Sequence, residues 1–204
     1  MELPDRGSAD TADGHTDDPA YAFKSSVMGD GFEFRLAFDA IEWRRGTRAG
    51  RVPYDRVRRM RLSFRPMTMQ NHRFLTEIWP ANGSKLQIAS TSWKSMFEQE
   101  RFDAPYRAFV IELCRRVGAA GGKTSFERGT PAWIYWPGVA IFVAASLGLA
   151  ALTVRALIIQ AWGGAVFVTA FLALFLWQAG NLFGRNRPGT FEPDAVPPLV
   201  LPKI

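Results

Sequence analysis

The sequence predicts an α+β chain with a membrane-spanning end: a curved antiparallel sheet closed by a C-terminal amphipathic helix, then a two-helix transmembrane hairpin. Three observations lead there. Apolar residues alternate singly through most of residues 31–92. They change to helical spacing after Asp103. From Ala132 to Phe183 the chain is apolar and carries a single charge, Arg155.

The strands come first. Phe32, Phe34, Leu36 and Phe38 alternate with Glu33, Arg35, Ala37 and Asp39, the period of two that a half-buried strand requires. Ile41 with Trp43, and Val52 with Tyr54, extend the pattern around a basic loop at Arg44–Gly50. Met60, Leu62 and Phe64 alternate with Arg59, Arg61, Ser63 and Arg65, so the arginines are expected to face outward. Phe74, Thr76 and Ile78 follow, then Asn82-Gly83 as a turn, then Leu86 and Ile88 as the returning strand. No strand–helix–strand alternation occurs, which excludes a parallel α/β fold.

Asp103 reads as a helix N-cap, with Pro105 tolerated in the first turn. Phe102, Tyr106, Phe109, Val110, Leu113 and Val117 then recur at spacings of three and four, giving one apolar face. Gly118 and Gly121-Gly122 end it. Residues 121–131 read as a linker, so residues 21–122 are expected to fold alone.

The apolar run is about 50 residues long, and one spanning helix needs about 20. Two helices therefore fit, at Trp133–Val154 and Ala161–Phe183, broken at Arg155–Gln160. Trp133, Tyr135, Trp136 and Trp177 lie toward the outer ends, where aromatic belts form, and Trp162 marks the turn. Arg115, Arg116, Lys123 and Arg128 precede the hairpin and Arg185 and Arg187 follow it. This bias predicts both termini in the cytoplasm of a bacterial inner-membrane protein. Small residues recur every four positions at Ala140, Ala144 and Gly148, and again at Ala161, Ala165, Thr169 and Ala173. Such stripes let helix backbones approach closely, either within the hairpin or against another membrane protein. No ionisable group sits mid-span, which argues against an ion or proton path.

Charge is divided as sharply as hydropathy. Residues 1–20 hold six acids and one base, a composition that reads as a disordered acidic arm. Residues 21–130 hold 20 Lys/Arg against 11 Asp/Glu. A basic block of this kind implies an anionic surface as partner. The one cysteine, Cys114, permits no internal disulfide and fits a reducing compartment.

Catalytic ingredients are thin. His15 and His72 have no ligand-spaced neighbours, and Cys114 borders the apolar helix face. Glu98, Glu100 and Asp103 read as a solvated turn. Gly46 and Gly50 form no phosphate loop, and Ser90, Ser92 and Lys94 match no hydrolase motif. No catalytic residue, metal or cofactor is assigned.

The order of strands and closing helix, with Val52-Pro53-Tyr54-Asp55-Arg56-Val57 and Ile88-Ala89-Ser90-Thr91-Ser92-Trp93 leading to Tyr106 and Phe109–Leu113, resembles the bacterial pleckstrin-homology-like domains of small membrane-anchored proteins. The resemblance covers residues 28–120 and implies a binding domain without a general catalytic signature or a defined ligand. The densest basic run supplies the candidate contacts: Arg44, Arg45, Arg48, Arg51, Arg59, Arg61 and Arg65. Either these dock on anionic headgroups of the inner leaflet, or they form a solvated face that serves topology. A nucleic-acid partner is not expected, since no such motif occurs. The resulting expectation is a membrane-anchored binding or scaffold module. Its alternative is an accessory subunit docking through its hairpin. Residues 184–204 are expected to be a cytoplasmic tail.

Overall fold

The computed structural model describes residues 18–26, 28–66, 72–94 and 99–203. Most of the acidic arm, with His15, lies outside the described residues, as does Glu98. The fold is α+β, with sheets of largely antiparallel strands and two helices long and apolar enough to cross a membrane.

Strands β1 (Ala20–Lys24), β2 (Gly31–Leu36), β3 (Ala40–Arg45) and β4 (Arg48–Pro53) form an antiparallel meander. β1 was not expected from the sequence, yet its alternation buries Tyr21 and Phe23. Five strands make a second sheet among the described residues. It is built on β5 (Val57–Pro66), β6 (His72–Pro80) and β7 (Leu86–Ala89). Met60, Leu62 and Phe64 point into the core, as their alternation with arginine requires. β8 (Thr91–Trp93) and β9 (Gln99–Arg101) form a small separate ladder.

Helix α1 (Asp103–Ala119) buries Tyr106, Phe109, Val110, Leu113, Cys114 and Val117. Asp103 is its first residue rather than its cap, and binds Arg101 instead. The Tyr106 and Thr76 hydroxyls share a hydrogen bond of 2.7 Å inside the core, and the Tyr21 ring lies 6.0 Å from that of Tyr106. Arg116 fastens the helix to the meander by donating to the carbonyls of Leu36 and Ala37 at 2.7 and 3.0 Å.

Two segments correct the sequence reading. The expected linker contains β10 (Ser125–Arg128), which pairs in parallel with β5 and puts Phe126 in the core. The expected tail contains β11 (Gly189–Thr190), antiparallel to β10, and a 3-10 turn at Pro198–Val200. It buries Val200 and Leu201 at 1% exposure each. Four-residue and two-residue strands carry too little periodicity to be recognised locally. Residues 21–122 are therefore not the whole globular unit, because chain on both sides of the hairpin completes its core.

The hairpin itself consists of α2 (Ala132–Ile158) and α3 (Trp162–Arg185). Arg155 falls in the last turn of α2, and Gln160 makes the reversal with φ of 55°. Phe142 packs on Phe175 and Phe183, with ring centroids 5.2 and 5.4 Å away.

Candidate functional site: the hairpin foot and the basic faces

β10 runs directly into α2, and α3 runs directly into β11. The two ends of the hairpin are thus held side by side by the sheet. Gly129 makes this possible. Its φ is 77°, and a Cβ there would lie 2.5 Å from the carbonyl oxygens of Asn186 and Arg187. The Thr130 N–H donates to the Asn186 carbonyl at 3.0 Å, and the Gly129 N–H donates to Leu62 at 2.8 Å. Asn186 is buried, and its side-chain oxygen accepts from the Phe64 N–H at 3.1 Å. Arg185 lies over the Phe64 ring at 4.0 Å and the Phe74 ring at 5.6 Å.

Around this foot opens a groove of about 610 Å³. Arg59, Arg61, Arg128 and Arg187 line it together with Trp133 and Trp136. Both tryptophans are largely exposed. One carboxylate enters, Glu127, which binds Arg61 closely and stands 3.9 Å from Arg59. The Arg128 Nε is buried without a hydrogen-bond partner. Four guanidinium groups against one carboxylate leave the groove cationic. Its tryptophans begin the apolar helix, so the charge lies at the foot of the hairpin.

The sequence candidates divide among several surroundings. Arg59 and Arg61 lie beside Trp79, at 4.4 and 5.3 Å from its ring. Arg65 shares their face of β5 but lies 3.9 Å from Glu77. Glu77 is buried. Burial raises its carboxyl, but hydrogen bonds from Lys85 and Gln87 and the charges of Lys85 and Arg65 outweigh that and hold it below the ordinary range. Arg44, Arg45, Arg48 and Arg51 belong to the other sheet. Arg44 pairs with Glu33, and Arg51 with Asp39 and Glu42. Arg45 covers the Phe32 ring at 4.8 Å, and Arg48 is exposed at the β3–β4 turn. The seven arginines are thus not one uniform cationic face. Cross-strand carboxylates neutralise several of them. Arg128 and Arg187, which the sequence offered only as topological charges, join Arg59 and Arg61 instead.

The small-residue stripes are only partly enclosed. Ala140, Ala144 and Gly148 are exposed, and a Cβ on Gly148 would meet nothing within 4 Å. On α3 only Ala165 is buried, whereas Ala161, Thr169 and Ala173 are exposed. Aromatic contacts join the two helices as well, through Tyr135, Phe142, Phe175 and Phe183. Gly138 admits Phe183, whose ring would lie 3.2 Å from an added Cβ.

Cys114 is fully buried, and burial pushes its thiol up to about 12, which keeps it protonated and unreactive. Among the described residues no three His, Cys, Asp or Glu side chains gather as a metal site would need. Comparison with protein-family models, curated proteins and solved structures returns no match for this chain.

Proposed function

We propose that this chain is a membrane-anchored, non-enzymatic binding module of the bacterial inner membrane, with both termini cytoplasmic. Its soluble domain is pleckstrin-homology-like, and it contacts anionic lipid headgroups at the hairpin foot. The observation that carries this reading is the groove in which Arg59, Arg61, Arg128 and Arg187 stand beside Trp133 and Trp136. A lysine or arginine near an anionic leaflet contributes about 1 kcal/mol, and the hairpin makes the encounter intramolecular. The paired hairpin ends support the topology, because entry and exit through one sheet put both flanks on one side of the bilayer.

The test uses the full chain in mild detergent, melted with added phosphatidylglycerol or phosphatidylcholine. Phosphatidylglycerol is expected to raise Tm more, with an increment that shrinks as salt rises. The paired variant Arg128→Ser/Arg187→Ser should lose most of that increment. Equal stabilisation by both lipids would refute headgroup recognition.

One observation favours a second reading, an accessory subunit docking through its hairpin. Ala140, Ala144 and Gly148 are exposed, which supports their availability to another helix. Co-purification of one integral membrane protein, lost on Ala144→Leu, would support that reading over the first.

A further inference from the structure

A second basic cavity lies away from the groove at the hairpin foot. It holds about 350 Å³ and is bounded by both sheets and β8. Lys24, Arg45, Arg73 and Lys85 line it, and no carboxylate does. Lys85 is committed to Glu77 at 2.8 Å. Among the described residues, Lys24 and Arg45 have no carboxylate partner. Arg45 is held over Phe32, which stacks on Phe23 at 5.6 Å.

Arg73 is the anomaly. It stands opposite Arg65 in the β5–β6 ladder, and its Nε is buried without a hydrogen-bond partner. Burial lowers its affinity for a proton, and the charge of Arg65 lowers it further. A guanidinium stays charged even so, because its ordinary value is far above neutrality. Burying a charge without a counter-ion is costly, and a native fold normally supplies one. Arg73 is half-buried, and among the described residues no carboxylate pairs with it. Ser25, Gln87 and Thr91 add hydrogen-bonding groups at the same cavity.

We infer that the cavity bounded by Lys24, Arg45, Arg73 and Lys85 binds a phosphate group, with Arg73 as its principal ligand. Guanidinium groups match phosphate oxygens in pairs, and a dry site strengthens the contact. The phosphate could belong to a lipid headgroup or to a soluble phosphorylated molecule. The inference is independent of headgroup contact at the groove, since the two cavities share no arginine.

The experiment has two arms on the full-length chain. In neutral detergent, inorganic pyrophosphate is titrated by calorimetry. In phosphatidylcholine nanodiscs, the thermal shift on adding phosphatidic acid is measured. Wild type, Arg73→Gln and Arg48→Gln are compared in each. Arg73→Gln is expected to weaken binding about ten-fold or more, and Arg48→Gln, an equal loss of charge at an exposed turn, less than about two-fold. Ligand-free Arg73→Gln should melt at or above the wild-type temperature, because a half-buried charge beside Arg65 has been removed. A response to pyrophosphate identifies a soluble phosphate as an acceptable ligand. A response to phosphatidic acid alone identifies the headgroup. Silence in both arms, or equal losses in the two variants, would overturn the inference.

Discussion

The Asn186 side chain accepts a hydrogen bond from the Phe64 backbone N–H across 122 positions of sequence, at 3.1 Å. That contact joins the exit of the hairpin to the strand beside its entry. Asn186→Ala removes the side-chain acceptor of this buried N–H, which costs about 1–3 kcal/mol. The full chain should melt at a lower temperature, and the Phe64 amide should lose protection in hydrogen exchange. Unchanged protection at Phe64 would show that the clamp is not formed in solution.

The globular unit is predicted to survive excision of the hairpin. Thr130 and Asn186 are already hydrogen-bonded neighbours, so a short glycine–serine bridge can replace residues 132–185. That protein should be soluble and melt cooperatively. A chain ending at residue 122 lacks Phe126, Val200 and Leu201, all buried, and should show no cooperative transition. Equal melting of the two proteins would mean that β10 and the C-terminal segment are dispensable.

Within the hairpin, two glycines should respond oppositely. Gly138→Leu would drive a side chain into Phe183, whereas Gly148→Leu meets open space. Overpacking costs about 1–3 kcal/mol, so Gly138→Leu should lower the melting temperature in detergent and Gly148→Leu should not. A loss at Gly148 with a change in mass by light scattering would instead reveal a helix packed there from another chain.

Tyr106→Phe removes one member of the buried hydroxyl pair with Thr76 and leaves the other without its partner. The expected loss is about 1–2 kcal/mol in chemical denaturation. The double variant Tyr106→Phe/Thr76→Val should recover part of it, because no buried polar group is then left unsatisfied. A double variant no more stable than the single one would show that the cost is packing.

Hydrogen bonds from Arg115, against the desolvation of partial burial, and from Arg116 hold the Glu112 carboxyl down to about 2, from an ordinary 4.5. A depressed folded value means that the stabilisation is complete above 4.5 and is lost as pH falls toward about 2. The pair is solvent-screened, so Glu112→Gln should cost only about 0.5 kcal/mol at neutral pH. The gap in Tm between wild type and Glu112→Gln should close through that acid window. A gap constant with pH would assign the effect to packing.

Local pattern alone determined much of this protein. Alternation at Phe32–Leu36 and Met60–Phe64 marked strands and their buried faces, whereas Phe38, read into the same pattern, lies past β2 and is 97% exposed; spacing from Tyr106 to Val117 marked helix α1. Unbroken apolar length marked α2 and α3. These features depend on period, which a short window contains. What the tertiary structure decided depends on partners distant in sequence. Phe126 and Leu201 reach one core only because β10 and β11 pair beneath the hairpin that separates them. Ala140, Ala144 and Gly148 have the spacing of a seam and are exposed, while Phe142, Phe175 and Phe183, distant in sequence, meet between the helices. Arginines looked alike in sequence. Their surroundings separate Arg44 and Arg51, neutralised across strands, from Arg73 and Arg128, whose buried Nε atoms have no partner. A charge is written in the sequence, whereas its counter-ion is chosen by the fold.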